Sequence, residues 1–261
     1  MIEKYPAIKD YLEIFRDRLE PRNTPEIKVG RKPGPYKWFE IQDSIEYYKI
    51  FEEAKITWPN LQVHNKFSFD DKGYYINAPS VVFPSGNKIL LCILNSKVAW
   101  FFLKSICVVR SGGYLEVKPQ YFEQIPIPEL TNKEVFDQMA DRIINTTIEF
   151  HRTVATFSNL LQSKFDLEKL SKKLQNWHEL EFGEILKELE KARKIVAKTT
   201  TRDFSPLPLA EQSEWMQYFN AQKGKAQELK KQIDQTDKEI DKMVYDLYGL
   251  TDEEIRIVEQ G

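Results

Sequence analysis

Two apolar seams in the second half of the chain restrict what it can fold into more than any other feature. Apolar or small residues fall at Phe136, Met139, Ile143, Thr147, Phe150, Val154, Phe157 and Leu161, three or four positions apart. The rhythm returns at Leu229, Ile233, Thr236, Ile240, Met243 and Leu247, with charged flanks and Gly249 as a helix stop. A stripe with that repeat is buried only against another helix. Each seam is the other's nearest partner, so the spacing predicts an antiparallel, coiled-coil-like pair. The excursion between them, residues 165–222, is helical in pattern over LEKLSKKLQNW and FGEILKELEKARKI, with interruptions expected at 199–201 and 205–208. It is expected to form the distal end of an arm.

Ahead of Pro128 the grammar changes. Most of the prolines lie here, and short β-rich runs (KITWP, KFSF, GYYIN, SVVF) alternate with the turn signals Pro59-Asn60, Asp71-Lys72-Gly73 and Pro84-Ser85-Gly86. DDKG between two alternating runs predicts a hairpin. Helical patterns interrupt the strands at 8–19 and about 88–103, where LLCILNSKVAWFF is apolar on most faces and therefore expected to be buried. The 261 residues thus divide into an α+β domain, 1–130, followed by an all-α antiparallel coiled-coil-like helical arm, 131–261.

Lys+Arg 38 against Asp+Glu 40 leaves a net charge of −2, unlike a protein that coats nucleic acid at large. The charge is uneven, however: 18 basic against 16 acidic residues up to Leu130, and 20 against 24 beyond it. Any polyanion is drawn to the first half. No run reaches the length of a membrane span, and MIEKYPAIKDYLE lacks the apolar stretch of a signal peptide, so a cytoplasmic protein without a membrane partner is expected. Cys92 and Cys107 lack ligand spacing and read as buried thiols, and His64, His151 and His178 show no metal-like pairing. No metal site is expected.

The motifs of catalysis are missing. There is no Gly-rich cofactor loop with an Asn-Pro-Pro-Tyr-like partner, no Walker loop and no serine-hydrolase elbow, so no catalytic residue is assigned. Asp71 with Glu116-Val117-Lys118 fits loosely the two carboxylates and lysine of a small Mg²⁺-dependent nuclease. A turn aspartate and an exposed strand edge explain them better. Arg22, Lys28, Arg31, Lys32 and Lys37 stand against Glu26 alone, interleaved with Gly30, Gly34, Tyr36 and Trp38. Such a loop can follow a phosphate backbone, although composition by itself favours a solvated surface loop. Arg110, Ser111, Gly112, Gly113 and Tyr114 form a second polar loop whose glycines permit close backbone approach; a plain tight turn is an equally good reading. Asn65 and Lys66, beside His64 and the KFSF run, make a weaker third group.

Several stretches together resemble a known family. YPAIKDYLEIFRDRLEPR, YKWFEIQ, KITWPNL, FSFDDKGYYIN, ILLCILNSKVAWFFL, RSGGYLEVKPQYFEQIPIP and IDQTDKEIDKMVYDLYGLTDEEIRIVE are similar to the C-terminal specificity region of type IIG restriction-modification enzymes and adenine-specific DNA methyltransferases, a TaqI-like target-recognition domain with a helical tail. The most specific signals are LLCILNSKVAWFF leading to GGYLEVKPQYFEQIPIP, and DKMVYDLYGLTDEEI. The resemblance implies a reading head for double-stranded DNA, itself not an enzyme and binding no cofactor. The parent would hold a methyltransferase region, with or without a nuclease, on the same or a partner polypeptide, using S-adenosylmethionine and, if it cleaves, Mg²⁺. It also implies that the three loops carry the DNA contacts: Arg22, Lys28, Arg31, Lys32, Tyr36, Lys37 and Trp38; Asn65 and Lys66; and Arg110, Ser111, Gly112, Gly113 and Tyr114. Arg31 and Arg110 are then the expected bidentate contacts to guanine, Asn65 faces adenine, and Lys32 and Lys37 hold phosphates. The arm would fix the reader relative to the methyltransferase. The nuclease, and a helical interaction module that binds no DNA, are the competing readings.

Overall fold

The computed structural model describes residues 2–24, 26, 28–129, 133–200 and 205–261. Two short helices, α1 (Pro6–Glu13) and α2 (Arg16–Leu19), open the chain, so the helical pattern at 8–19 is broken at Ile14 and Phe15. After a long irregular stretch come the strands β1 (Lys55–Pro59), β2 (Leu61–Gln62), β3 (Ser68–Asp70) and β4 (Ser80–Pro84). The apolar helices α3 (Lys88–Asn95) and α4 (Lys97–Ile106) follow, then β5 (Val108–Arg110), β6 (Tyr114–Glu116) and α5 (Pro119–Phe122).

The strands make two antiparallel three-stranded sheets, ordered β3-β1-β4 and β2-β6-β5. β1 and β2 are nearly one run, parted at Asn60, and each half serves a different sheet. Trp58 is the joint between them. Its indole nitrogen donates to the Val117 carbonyl at 2.8 Å, and its ring stacks on Phe122 with centroids 4.5 Å apart. A buried indole needs a partner for its N–H, and the chain leaving β6 supplies one. Alternation along β1 sends Ile56 and Trp58 into a core with Phe67, Leu91, Leu94, Leu103, Leu115, Val117 and Ile125.

The opposite face of β1 carries a buried ion pair. Lys55, wholly buried, lies opposite Asp70 in register, with its ammonium 2.5 Å from the carboxylate and donating to the Phe51 carbonyl at 2.7 Å. The carboxylate also accepts from the backbone amides of Lys72 (2.8 Å) and Tyr74 (3.0 Å). These bonds replace the water that both charges lose. They also undo the predicted hairpin: β3 pairs with β1, and residues 73–77 form no strand. The amides of residues 72 and 74 are captured by Asp70, which turns the chain away, and Tyr75 stacks instead on Phe51.

The apolar segment after β4 is buried as expected, through Ile89, Leu91, Cys92, Ile93, Leu94, Ala99 and Leu103. It is two helices bent by 64°. At the bend the Ser96 hydroxyl donates to the Ile93 carbonyl and accepts from the Ala99 amide, closing α3 and capping α4. Both cysteines are free and buried; burial pushes the Cys92 thiol up to about 12 and the Cys107 thiol to about 11. Among the described residues no single helix is long and apolar enough to cross a membrane.

The second half holds α6 (Lys133–Phe165), α7 (Lys172–Gln175), α8 (Phe182–Thr200), α9 (Leu209–Tyr248) and α10 (Asp252–Gln260). α6 and α9 run antiparallel, as the seams predict. Phe136 and Ala140 meet Ile240 and Val244 at one end, and Phe157 and Leu161 share a core with Phe219 and Ala226 at the other. At 1.5 Å per residue, α6 is about 50 Å long. α9 begins well before the seam at Leu229, because Phe219, Ala226 and the half-buried Trp215 are needed to cover the distal core around Trp177. α8 continues through Thr199 and Thr200, where an interruption was expected; Thr201 and the expected domain boundary at Leu130 lie outside the described residues. The two halves share a core, since Ile89, Cys92 and Ile93 of α3 pack with Phe136, Ala140, Ile240 and Val244.

Burial raises the Asp70 carboxyl, but the Lys55 ammonium and the two amides outweigh it and hold the group below its ordinary value. The folded state therefore favours the carboxylate, giving stability that is present above the unfolded value and lost as pH falls through the lowered one. Asp70→Asn is expected to cost about 3–5 kcal/mol at neutral pH, as for other buried pairs stripped of one partner. It should also flatten the acid limb of a Tm-versus-pH curve measured by calorimetry; an acid limb as steep as that of the wild type contradicts this account.

Candidate nucleic-acid interface

The irregular stretch ahead of β1 has little apolar material with which to hold itself. Trp38 is the only buried large apolar side chain among the described residues before Ile56. Arg31 supplies the missing constraint. Its Nε donates to the Leu19 carbonyl (2.7 Å), Nη1 to Glu40 (2.8 Å), and Nη2 to Lys37 (3.2 Å) and Trp38 (3.0 Å). The guanidinium also lies 4.5 Å over the Tyr36 ring. Backbone amides close the same loop, Arg22 onto Arg31 and Arg31 onto Glu20. Gly30 is required here: it sits at φ +121°, and a Cβ would lie 2.5 Å from the Glu20 carbonyl oxygen.

The expected guanine contact by Arg31 is therefore not available in this structure, because every nitrogen of its guanidinium is already bonded to a carbonyl. The physical reason is that a loop without regular structure leaves carbonyls unpaired, and a five-donor fork satisfies several at once. Tyr36 and Trp38 are likewise parts of the loop's own packing. The Tyr36 hydroxyl donates to the Lys32 carbonyl, and Trp38 is buried beneath Arg16 and against Phe39. What the loop shows to solvent is the exposed Arg22, Lys28, Lys32 and Lys37.

Asn65 is also turned inward. Its amide donates to the Ser96 carbonyl at 2.7 Å, and it lines a cleft of about 520 Å³ between the α3–α4 corner and the arm, opposite Asp237 and Asp241. It does not present an adenine-reading edge in this arrangement. Lys66, next to it, is exposed.

The third group is the tip of a hairpin. β5 and β6 pair with Arg110 opposite Tyr114, and Ser111, Gly112 and Gly113 connect them. Gly112 and Gly113 lie at φ +81° and +77°, a backbone region that other residues adopt only with strain. β5 is an edge strand of its sheet, and Val108, Val109 and Arg110 are all exposed. By register, Val108, Arg110, Tyr114 and Glu116 share one face. Val108 and Val109 escape a reading of the sequence centred on glycines and charge; the adjoining valine pair just before RSGG is the signal that marks them. Arg110 donates through Nε (2.9 Å) and Nη2 to Oε2 of Glu116, and Lys118 sits 3.1 Å from Oε1.

That arrangement also bears on the loose nuclease pattern. Asp71 follows β3 of one sheet, whereas Glu116 belongs to β6 of the other. Both Glu116 oxygens are occupied by cations, and these contacts, the Arg110 bond first, hold its carboxyl below the ordinary range. Among the described residues no three His, Cys, Asp or Glu side chains cluster as metal ligands.

Arg31→Lys keeps the charge but loses the fork. It is expected to raise hydrogen exchange of the amides between residues 19 and 40 while leaving β1 and the arm protected; uniform protection across the chain would contradict the hub role.

Residues 10–127 match the family described as the TaqI-like C-terminal specificity domain. Residues 129–244 match a domain of unknown function, DUF8810. No curated protein matches the chain.

Proposed function

We propose that this chain, a TaqI-like specificity domain over residues 10–127 with a helical arm behind it, is the module through which a type IIG restriction-modification enzyme reads its double-stranded DNA site. The observation that carries the reading is the β5–β6 hairpin. It is the outer hairpin of the β2-β6-β5 sheet, its edge strand exposed along its length, and beyond the reach of β2 its tip is a two-stranded ribbon, with Arg110 and Tyr114 side by side. A major groove about 12 Å wide accepts such a ribbon.

The division of labour follows from chemistry. Arg22, Lys28, Lys32 and Lys37 set register by neutralising phosphates, which carry affinity and little sequence information. Arg110, Tyr114 and the valines beside them meet base edges. The arm acts as spacer and docking surface for a methyltransferase region, and for a nuclease where one is present, so that a base can be flipped into the catalytic pocket. S-adenosylmethionine, and Mg²⁺ for cleavage, are assigned to those regions and not to this chain.

Selection from a randomised duplex pool at moderate salt is the direct test. One short motif should be enriched, and failure to enrich any motif sinks the proposal. Arg110→Ala is expected to flatten preference at a single position by roughly 1–3 kcal/mol. Lys32→Ala or Lys37→Ala should instead weaken binding to all sequences alike and lower the slope of log K against log salt by about 1 each. Titrations across salt concentrations on matched and mismatched duplexes separate the two behaviours.

A further inference from the structure

Arg31 and Arg110 both stand near glycines, but what each has left to offer is different. The nitrogens of Arg31 are all bonded to carbonyls. Arg110 uses only its side pair, Nε and Nη2, and both bonds go to one oxygen of Glu116. Nη1 of Arg110 has no partner among the described residues. A guanidinium is planar and offers two donor pairs, Nε–Nη2 along its side and Nη1–Nη2 at its end. Filling the side pair fixes the plane and leaves the end pair pointing away from the anchoring group.

We propose that Glu116 is a positioning residue that holds Arg110 as a preformed reader of the O6 and N7 acceptors of guanine. This inference rests on the DNA-reading function proposed above. The exposures suit it: the Glu116 side chain is 12% exposed and that of Arg110 52%, so the acid is seated in the sheet and the guanidinium stands outside. Lys118 on the second carboxylate oxygen completes a group of net charge +1, so the acid presents no repulsion to a polyanion. Guanine offers two acceptors in the major groove where adenine offers one acceptor and one donor. The end pair of Arg110 matches guanine and leaves a donor facing a donor on adenine. Because the side chain is already ordered, little rotamer freedom remains to be lost on binding.

The test uses the full chain and the duplex it enriches, with each guanine replaced in turn by 7-deazaguanine, which lacks the N7 acceptor. One guanine is expected at which this replacement weakens wild-type binding roughly tenfold, as for a bidentate contact. At that position the replacement should become nearly silent in Arg110→Ala and in Glu116→Gln, and the double variant should add nothing to either. Glu116→Asp, which keeps the charge on a shorter stem, should give an intermediate loss. Thermal melting accompanies each variant. A role for Glu116 in stability alone would lower Tm and weaken all sequences alike, with sensitivity to 7-deazaguanine intact, and that result overturns the proposal. So does the absence of any guanine whose sensitivity depends on Arg110, which decides the matter even if Glu116→Gln does not fold. Failure to enrich any motif at all overturns the DNA-reading function itself, before Glu116 comes into question.

Discussion

The indole of Trp58 is where the two sheets become one domain. β1 ends and β2 begins across a single residue, and beside the bond from the Val117 amide to the Asn60 carbonyl the second sheet is tied to the first by the bond from the indole to the Val117 carbonyl. The same bond fixes the strand that leaves Glu116, because Val117 follows it directly. Phe122 stacked on the indole, with Phe67 and Phe83 around it, makes the joint stiff. A hairpin projecting from that joint has a rigid base although its outer strand has no core of its own, and rigid support is what a group of base-reading side chains requires.

Two different solutions to the same problem meet in the first half. Around Trp58 order comes from buried apolar area, whereas around Arg31 it comes from hydrogen bonds to carbonyls that no sheet or helix would satisfy. The second solution is economical in apolar residues and leaves the loop's lysines exposed. Lys55 and Asp70 join the two regimes: the ammonium reaches back to the carbonyl of Phe51 at the end of the irregular stretch, while the carboxylate pins the turn after β3. Loss of either charge would be felt on both sides of β1.

The arm was legible in the sequence because its physics is periodic: a repeat near 3.5 residues has few folded solutions, and Phe136, Phe157, Leu161 and Ile240 are buried along it. The start of α9 was not, since Trp215 and Phe219 serve a distal core assembled from residues far apart in the chain. The hairpin expected at DDKG failed for a related reason. Its turn residues suit a hairpin, but the destination of the Asp70 carboxylate depends on Lys55, a partner visible only once β1 and β3 are aligned. Of the expected base-reading residues, Arg31 and Arg110 are the same by type, and their neighbours in sequence do not show what each guanidinium bonds to. What separates them is whether carbonyls or a single carboxylate converge on the guanidinium. For Asn65 the deciding partner is the Ser96 carbonyl at the α3–α4 bend, thirty-one residues away and marked by no local pattern.

The bareness of β5 has a consequence for how such a molecule changes over generations. Val108 and Val109 are exposed on an edge strand, so the exchange of either alters what the hairpin touches with little effect on what supports it. Selection for new preferences and selection for a persistent fold then act on separate residues. A strand of this kind is an interchangeable part, and a lineage carrying it can explore different targets one side chain at a time.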